Sequence, residues 1–193
     1  EIVNESVFDD ARPEDGNPFK LLIEDQRYVT PMLLEERQRV LRALRNGGYA
    51  SVSRDSIRAL VYTPQADSFD VEMRIRPGMR YRFGDVHFDV EGPMENAGPR
   101  EATLDVAVDS SAGYAPTVTA TITSERRLSM NLLKRELQFT PGMYYSQERL
   151  LATKRRLEGT GAFTFTNLSP QLSNTQRIQD TDEAFVPIQI EAR

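Results

Sequence analysis

The chain has 193 residues, a formal net charge of -5, 39% hydrophobic residues, eleven prolines, eleven glycines, one histidine and no cysteine. That length holds one large domain or two small ones, and the modest apolar fraction suits thin layers with much exposed surface. Neither a disulfide framework nor a thiolate metal site is available, the acidic balance disfavours a nucleic-acid surface, and no run approaches the roughly 18 apolar residues of a membrane helix.

Residues 1–18, with Asp9, Asp10, Pro13, Glu14, Asp15, Gly16 and Pro18, are too polar to offset their own ordering entropy and read as a linker or lead-in. The opening EIVNESVFDD lacks the charged start and apolar middle of a signal peptide, so the chain is expected to be a mature piece of something longer. Residues 19–23, FKLLI, are a short strand candidate. Thr30 followed by Pro31 predicts a helix start, since the hydroxyl can accept from a free amide and proline there loses no needed donor. Leu33, Leu34, Val40, Leu41 and Leu44 then share a broad apolar face, Glu35 and Arg39 sit at a favourable spacing of four, and Asn46, Gly47 and Gly48 supply the stop. Residues 56–62, SIRALVY, are β-like, residues 63–67 are turn chemistry, and FDVEMRI alternates as a half-buried strand before Pro77 and Gly78 break it.

Tyr81 and Phe83 share one parity whereas Val86, Phe88 and Val90 share the other, so Gly84 with Asp85 predicts a bulge in a long strand. Residues 92–101 read as loop. The alternations Leu104, Val106, Val108 and Val118, Ala120, Ile122 predict a hairpin inserted at about residues 93–125. Ser129 opens a short helix lined by Met130, Leu133 and Leu137, and Ser146 opens another with Leu150, Leu151 and Leu157 that stops at Gly159 and Gly161. Residues 162–168 are strand-like, residues 173–183 are a polar loop, and Val186, Ile188 and Ile190 alternate to the end.

Catalytic patterns are scarce. His87 is the only histidine and falls on a predicted strand, so histidine-rich metal sites are impossible. No phosphate-cradling glycine loop with its lysine occurs, and Asp180, Asp182 and Glu183 lack the glycine and spaced glutamate of a calcium loop. Asp9 and Asp10 sit in the linker, where nothing separates their acidities. Lys154, Arg155 and Arg156 read as a solvated helix face. The expectation is a non-enzyme with no metal and no cofactor.

The second unit thus runs strand, helix, helix, strand, strand. With helices ending at LRNGGY and LEGTGAF before a strand, that order resembles the polypeptide-transport-associated (POTRA) domain. The stretch IRPGMRYRFGDVHFDVEG, residues 75–92, is similar to the junction between consecutive POTRA domains in BamA/TamA-like outer-membrane assembly proteins. Aligning Gly48 with Gly161 also matches Glu35 with Glu148, Arg42 with Arg155 and Leu44 with Leu157, a repeat to which the junction adds weight.

The resemblance implies an α+β fold of tandem domains, 19–78 and 79–193. Each would be a small mixed three-stranded sheet with two helices on one face, and the second domain carries the extra hairpin. The first is either truncated or rebuilt with residues 19–23 in its sheet. It further implies a periplasmic location, a membrane barrel following Arg193, and binding of unfolded outer-membrane proteins and partner subunits by strand addition at open edges. Those edges are Ser56, Ile57, Arg58, Ala59, Leu60, Val61 and Tyr62 in the first unit, and Ala162, Phe163, Thr164, Phe165, Thr166, Asn167 and Leu168 in the second. Which parity of Ile57, Ala59 and Val61, or of Phe163 and Phe165, faces the helices stays open at this point. Pro77 and Gly78 form the expected interdomain hinge. The alternatives are a two-partner secretion transporter and a purely structural periplasmic scaffold.

Overall fold

Helix α1 (Thr30–Asn46) begins where Pro31, which needs no amide partner, occupies its first turn. In this computed structural model the described residues are 29–65, 68–93, 98–110, 113–125 and 128–193, so the linker and the strand read over residues 19–23 lie outside them. Two units divide the chain, Glu1–Gly78 and Met79–Arg193.

Thr30 is the first helical residue and not the cap; Val29 holds that position, and no side chain bonds the free amides. Leu33, Val40, Leu41 and Leu44 form the buried stripe, but Leu34 is 58% exposed, and it is Glu36 that is fully buried. Arg39 follows the buried acid: its Nε donates to Glu36 Oε1 at 2.9 Å, so the pairing is not with Glu35. At the far end Gly48 takes φ of +110°, and the chain turns back so that Tyr49 N donates to Leu44 O at 3.0 Å.

A 3-10 turn, Arg54–Ser56, leads into β1 (Ile57–Gln65), which pairs antiparallel with β2 (Ser68–Ile75). Two helix arginines aim this entry: Arg37 Nη2 donates to Arg54 O, and Arg45 Nε to Val52 O at 3.2 Å. Val40, Leu41, Leu44, Tyr49, Val52 and Ile57 make the core, with Met73 and Ile75 packed against it. The turn predicted from residue 63 comes later, because the ladder shifts register after Tyr62 and resumes at Gln65 opposite Ser68.

The second unit contains β3 (Arg80–Glu91), β4 (Arg100–Thr103), β5 (Val118–Thr123), α2 (Met130–Glu136), α3 (Gln147–Gly159), β6 (Thr166–Pro170), β7 (Gln176–Arg177) and β8 (Glu183–Ala192). The sheet order is β4-β5-β3-β8-β6, with β7 also beside β8. β3 lies parallel to both β8 and β5, whereas β6 is antiparallel to β8 and β4 to β5. This is an α+β layer in the order strand, helix, helix, strand, strand, with β4 and β5 inserted after the first strand. The ladder slips between Phe83 and Val86, the predicted bulge, and restores the buried parity. Val86, Phe88, Val90, Ile188, Ile190, Val118, Ala120 and Ile122 are consequently buried on one face, with Leu133 of α2 and Leu157 of α3. Phe83 stacks on Phe139 with centroids 3.9 Å apart.

Three predictions in this unit need correction. The first arm of the insertion is residues 100–103 and not 104–108, because beyond Leu104 the chain leaves the sheet and Asp109 N donates to Pro141 O at 2.7 Å. Leu151 is 48% exposed, and Thr153 is the fully buried α3 residue; its Oγ1 accepts from Gln138 N at 2.9 Å and donates to Arg149 O at 3.0 Å. Ser129 makes no capping bond, whereas Ser146 accepts from Arg149 N at 3.4 Å.

Candidate interface at the sheet edges

Hydrogen bonds leave a strand on alternate sides, so the register decides which main-chain groups face outward. In the first unit Arg76 N donates to Ser56 O at 2.8 Å, which sets the bonded pairs of β1 and β2 at Arg58 with Arg74, Leu60 with Glu72 and Tyr62 with Asp70. The amides and carbonyls of Ile57, Ala59 and Val61 therefore point away from β2, and the Ile57 amide is taken up by Arg54 O of the preceding turn. No described strand lies beyond them. Their side chains share the parity of buried Ile57, so this is the inward face, although Val61 near the strand's end is 39% exposed. Arg58, Leu60 and Tyr62 occupy the other face. There the Tyr62 hydroxyl donates to Glu72 at 3.1 Å, and Arg74 Nε donates to the same carboxylate at 2.7 Å. The hydrogen bond from Arg74 holds the Glu72 carboxyl below the usual carboxylate range.

In the second unit Phe165 and Arg193 exchange bonds of 3.2 and 2.9 Å, and Gln171 N donates to Pro187 O at 2.8 Å. Asn167 and Ser169 thus face β8, while Thr166, Leu168 and Pro170 face outward. This edge offers one donor, Leu168, because Thr166 is fully buried and Pro170 has no amide hydrogen. The strand itself is residues 166–170. Ala162, Phe163, Thr164 and Phe165 precede it, and the chain there is tied down by Thr164 N to Arg193 O at 2.6 Å. Phe163 is buried and Phe165 is 49% exposed beside the strand's start. Ser56 stands in the 3-10 turn before β1.

On the side away from β8, β3 is covered by the chain itself, and β4 ends the sheet beyond β5. Residues 142–145 lie antiparallel along the start of β3: Gly142 N donates to Phe83 O at 2.7 Å, Phe83 N to Met143 O at 2.8 Å, and Tyr145 N to Tyr81 O at 2.9 Å. β5 covers the rest, opposite residues 86–91. The Tyr144 ring lies 3.6 Å from the Arg80 guanidinium and 4.1 Å from that of Arg82. Its hydroxyl donates to Glu183 at 2.7 Å, and Arg82 Nε reaches the same carboxylate at 2.9 Å. Burial opposes ionisation of Glu183, but the bonds from Tyr144 and Arg82 hold its carboxyl below the ordinary value. A second clamp sits at the bulge, where Asp85 accepts from the Tyr114 hydroxyl at 2.5 Å and from Thr117 N and Oγ1 at 2.7 and 2.9 Å.

Sequence reasoning missed this closure. Its local signal is the Pro141-Gly142 pair, which marks a chain break but carries no information about the edge that the following residues cover. It also missed β4, where Leu104 N to Val118 O at 2.8 Å leaves the main chain of Glu101 and Thr103 facing outward. His87 belongs to the polar face of the sheet: Nδ1 lies 2.9 Å from Thr119 Oγ1, and Nε2 lies 3.3 Å from Thr121 Oγ1. Among the described residues no three His, Asp or Glu side chains converge as a metal-holding group, and no helix is long and apolar enough to cross a membrane. Gly78, in the segment between β2 and β3, has φ of +77°.

No family model and no curated protein sequence matches the chain. Solved structures similar to it are POTRA-domain structures of BamA and of Omp85. BamA from Haemophilus ducreyi lacking POTRA domains 1-3 is 17% identical with a TM-score of 0.47; the match covers 89% of this chain and 25% of that one. BamA POTRA3-5 from Haemophilus influenzae is 12% identical, TM-score 0.32, over 98% of this chain and 91% of that one. The N-terminal domain of Omp85 from Thermosynechococcus elongatus is 15% identical, TM-score 0.34, over 98% and 59%. This chain therefore spans about a quarter of the Haemophilus ducreyi protein.

Proposed function

We propose that the chain is a POTRA region of an outer-membrane barrel-assembly or translocation-assembly protein, located in the periplasm ahead of a membrane barrel. It holds extended segments of unfolded outer-membrane proteins, and of partner subunits, by adding them as strands to β1 and β6, with no covalent step and no cofactor. One observation supports this reading: among the described residues no strand lies beyond β1 or β6, where Ala59, Val61 and Leu168 turn their amides and carbonyls outward, whereas the side of β3 away from β8 is covered by residues 142–145 and β5. Main-chain pairing is nearly indifferent to sequence, which suits a receiver of many clients. Flanking apolar surface at Val61, Tyr62 and Phe165 supports the same use.

Proline at an outward-facing edge position removes a donor without breaking the ladder, as Pro170 already does. The double variant Ala59→Pro with Leu168→Pro is expected to keep its far-ultraviolet spectrum and thermal transition while losing the amide shifts that peptides from an unfolded barrel protein induce at β1 and β6. Undiminished shifts in that folded variant would contradict strand addition.

A further inference from the structure

We infer that β1 accepts, antiparallel, an extended segment with an acidic residue opposite Arg58, an apolar residue opposite Leu60 and an aromatic residue opposite Tyr62; this deepens the strand-acceptor reading and rests on it. Because Ala59 and Val61 direct their main chain outward, they become the hydrogen-bonded pairs with an added antiparallel strand, whereas the Ile57 amide is already held by Arg54 O. Arg58, Leu60 and Tyr62 then occupy the non-hydrogen-bonded pairs. There Cα atoms approach to about 4.5 Å and side chains meet most closely.

Charge complementarity selects the occupant at the first of these positions. Arg58 is exposed and stands directly opposite Arg74, an unfavourable like-charge pair. Arg74 is already engaged by Glu72 at 2.7 Å, whereas among the described residues Arg58 has no acidic partner. Among the described residues Arg74 fills the place across from Arg58 on β2, so an acid approaches Arg58 across a ladder from the side beyond which no described strand lies. Two residues further along the same face is half-buried Leu60, and two beyond that is Tyr62, 46% exposed with its hydroxyl turned to Glu72. A segment reading aromatic, any, apolar, any, acidic from its N-terminus matches this face in the antiparallel direction.

The test uses the full chain and two short capped peptides. One has tyrosine, valine and glutamate at its second, fourth and sixth positions with threonine elsewhere; the other replaces the glutamate with lysine. Amide shifts are followed by NMR at low salt for the unsubstituted chain and for Arg58→Glu, an exposed change whose fold the same spectra verify. The glutamate peptide is expected to bind about threefold to fivefold more tightly than the lysine peptide, with shifts at Ala59 and Val61. Arg58→Glu is expected to invert that order. Equal binding of both peptides at β1, unmoved by the substitution, overturns the inference and leaves strand addition standing. So does a glutamate preference whose shifts lie away from β1. Absence of shifts with either peptide, at β1 and β6 alike, removes strand addition itself and this inference with it.

Discussion

Gly142 shows how one residue can decide whether an edge is open or covered. It sits at φ +96°, and a Cβ built there would overlap the carbonyl oxygen of Asp109, so only glycine lets residues 142–145 lie on β3 while the insertion passes beside them. Gly142→Ala is expected to cost on the order of 3 kcal/mol, since both strain and backbone overlap act together. Gly159 is the contrasting case: it lies within α3 and an added Cβ meets nothing within 4 Å. Gly159→Ala is expected to stabilise by about 0.5–1 kcal/mol through helix propensity. Urea unfolding of both variants checks the pair, and a neutral Gly142→Ala would show that the turn can move. The prolines and glycines mark where the chain turns, yet not what each turn touches. Asp109 lies 33 positions upstream in sequence, and nothing local to Gly142 predicts it.

At the scale of elements, alternation served best where one face is buried and the other is wet. β3, β5 and β8 follow their apolar parities, as does β2 beyond Phe69, which is 50% exposed, and the switch of parity at Gly84 and Asp85 marks the bulge. Helix faces were less legible. Leu34 and Leu151 matched the apolar pattern, but buried Glu36 and Thr153 are satisfied by hydrogen bonds, which periodicity does not register. The insertion was foreseen as a plain hairpin, whereas β5 runs parallel to β3 and is held by Asp85. Its tether can be followed by titration. Burial, then the bond to Asp85, pushes the Tyr114 hydroxyl up to about 12 from 10.0. A raised folded value means the native state keeps a proton that the unfolded chain loses, so this contribution is full below pH 10 and declines as pH rises towards 12. Tyr114→Phe is expected to lose about 1 kcal/mol at neutral pH, because it removes one bond to a carboxylate while Thr117 still supplies two. It should also flatten the stability profile between pH 10 and 12. An unchanged profile would mean the hydroxyl is not bonded to Asp85 in solution.

For the molecule as a whole, the junction residues 75–92 and the element order pointed to tandem units of one kind, and the second unit has that order in three dimensions. The edges themselves could not be read in advance. The β-like runs 56–62 and 162–168 predict both side strands, but β1 runs to Gln65 and β6 begins only at Thr166, and the direction of each amide follows from long-range pairing that no local window contains. The chain covers β3 on the side away from β8, while no described strand lies beyond β1 or β6, so the account turns on three main-chain amides: Ala59, Val61 and Leu168. Hydrogen exchange resolved to single residues tests this most directly. The account predicts that these three exchange quickly in the chain alone, while Arg58, Leu60, Asn167 and Ser169 are protected, and that an unfolded outer-membrane protein segment at saturation slows the three. Protection of the three before any segment is added, or exchange that the bound segment leaves unchanged, would contradict it.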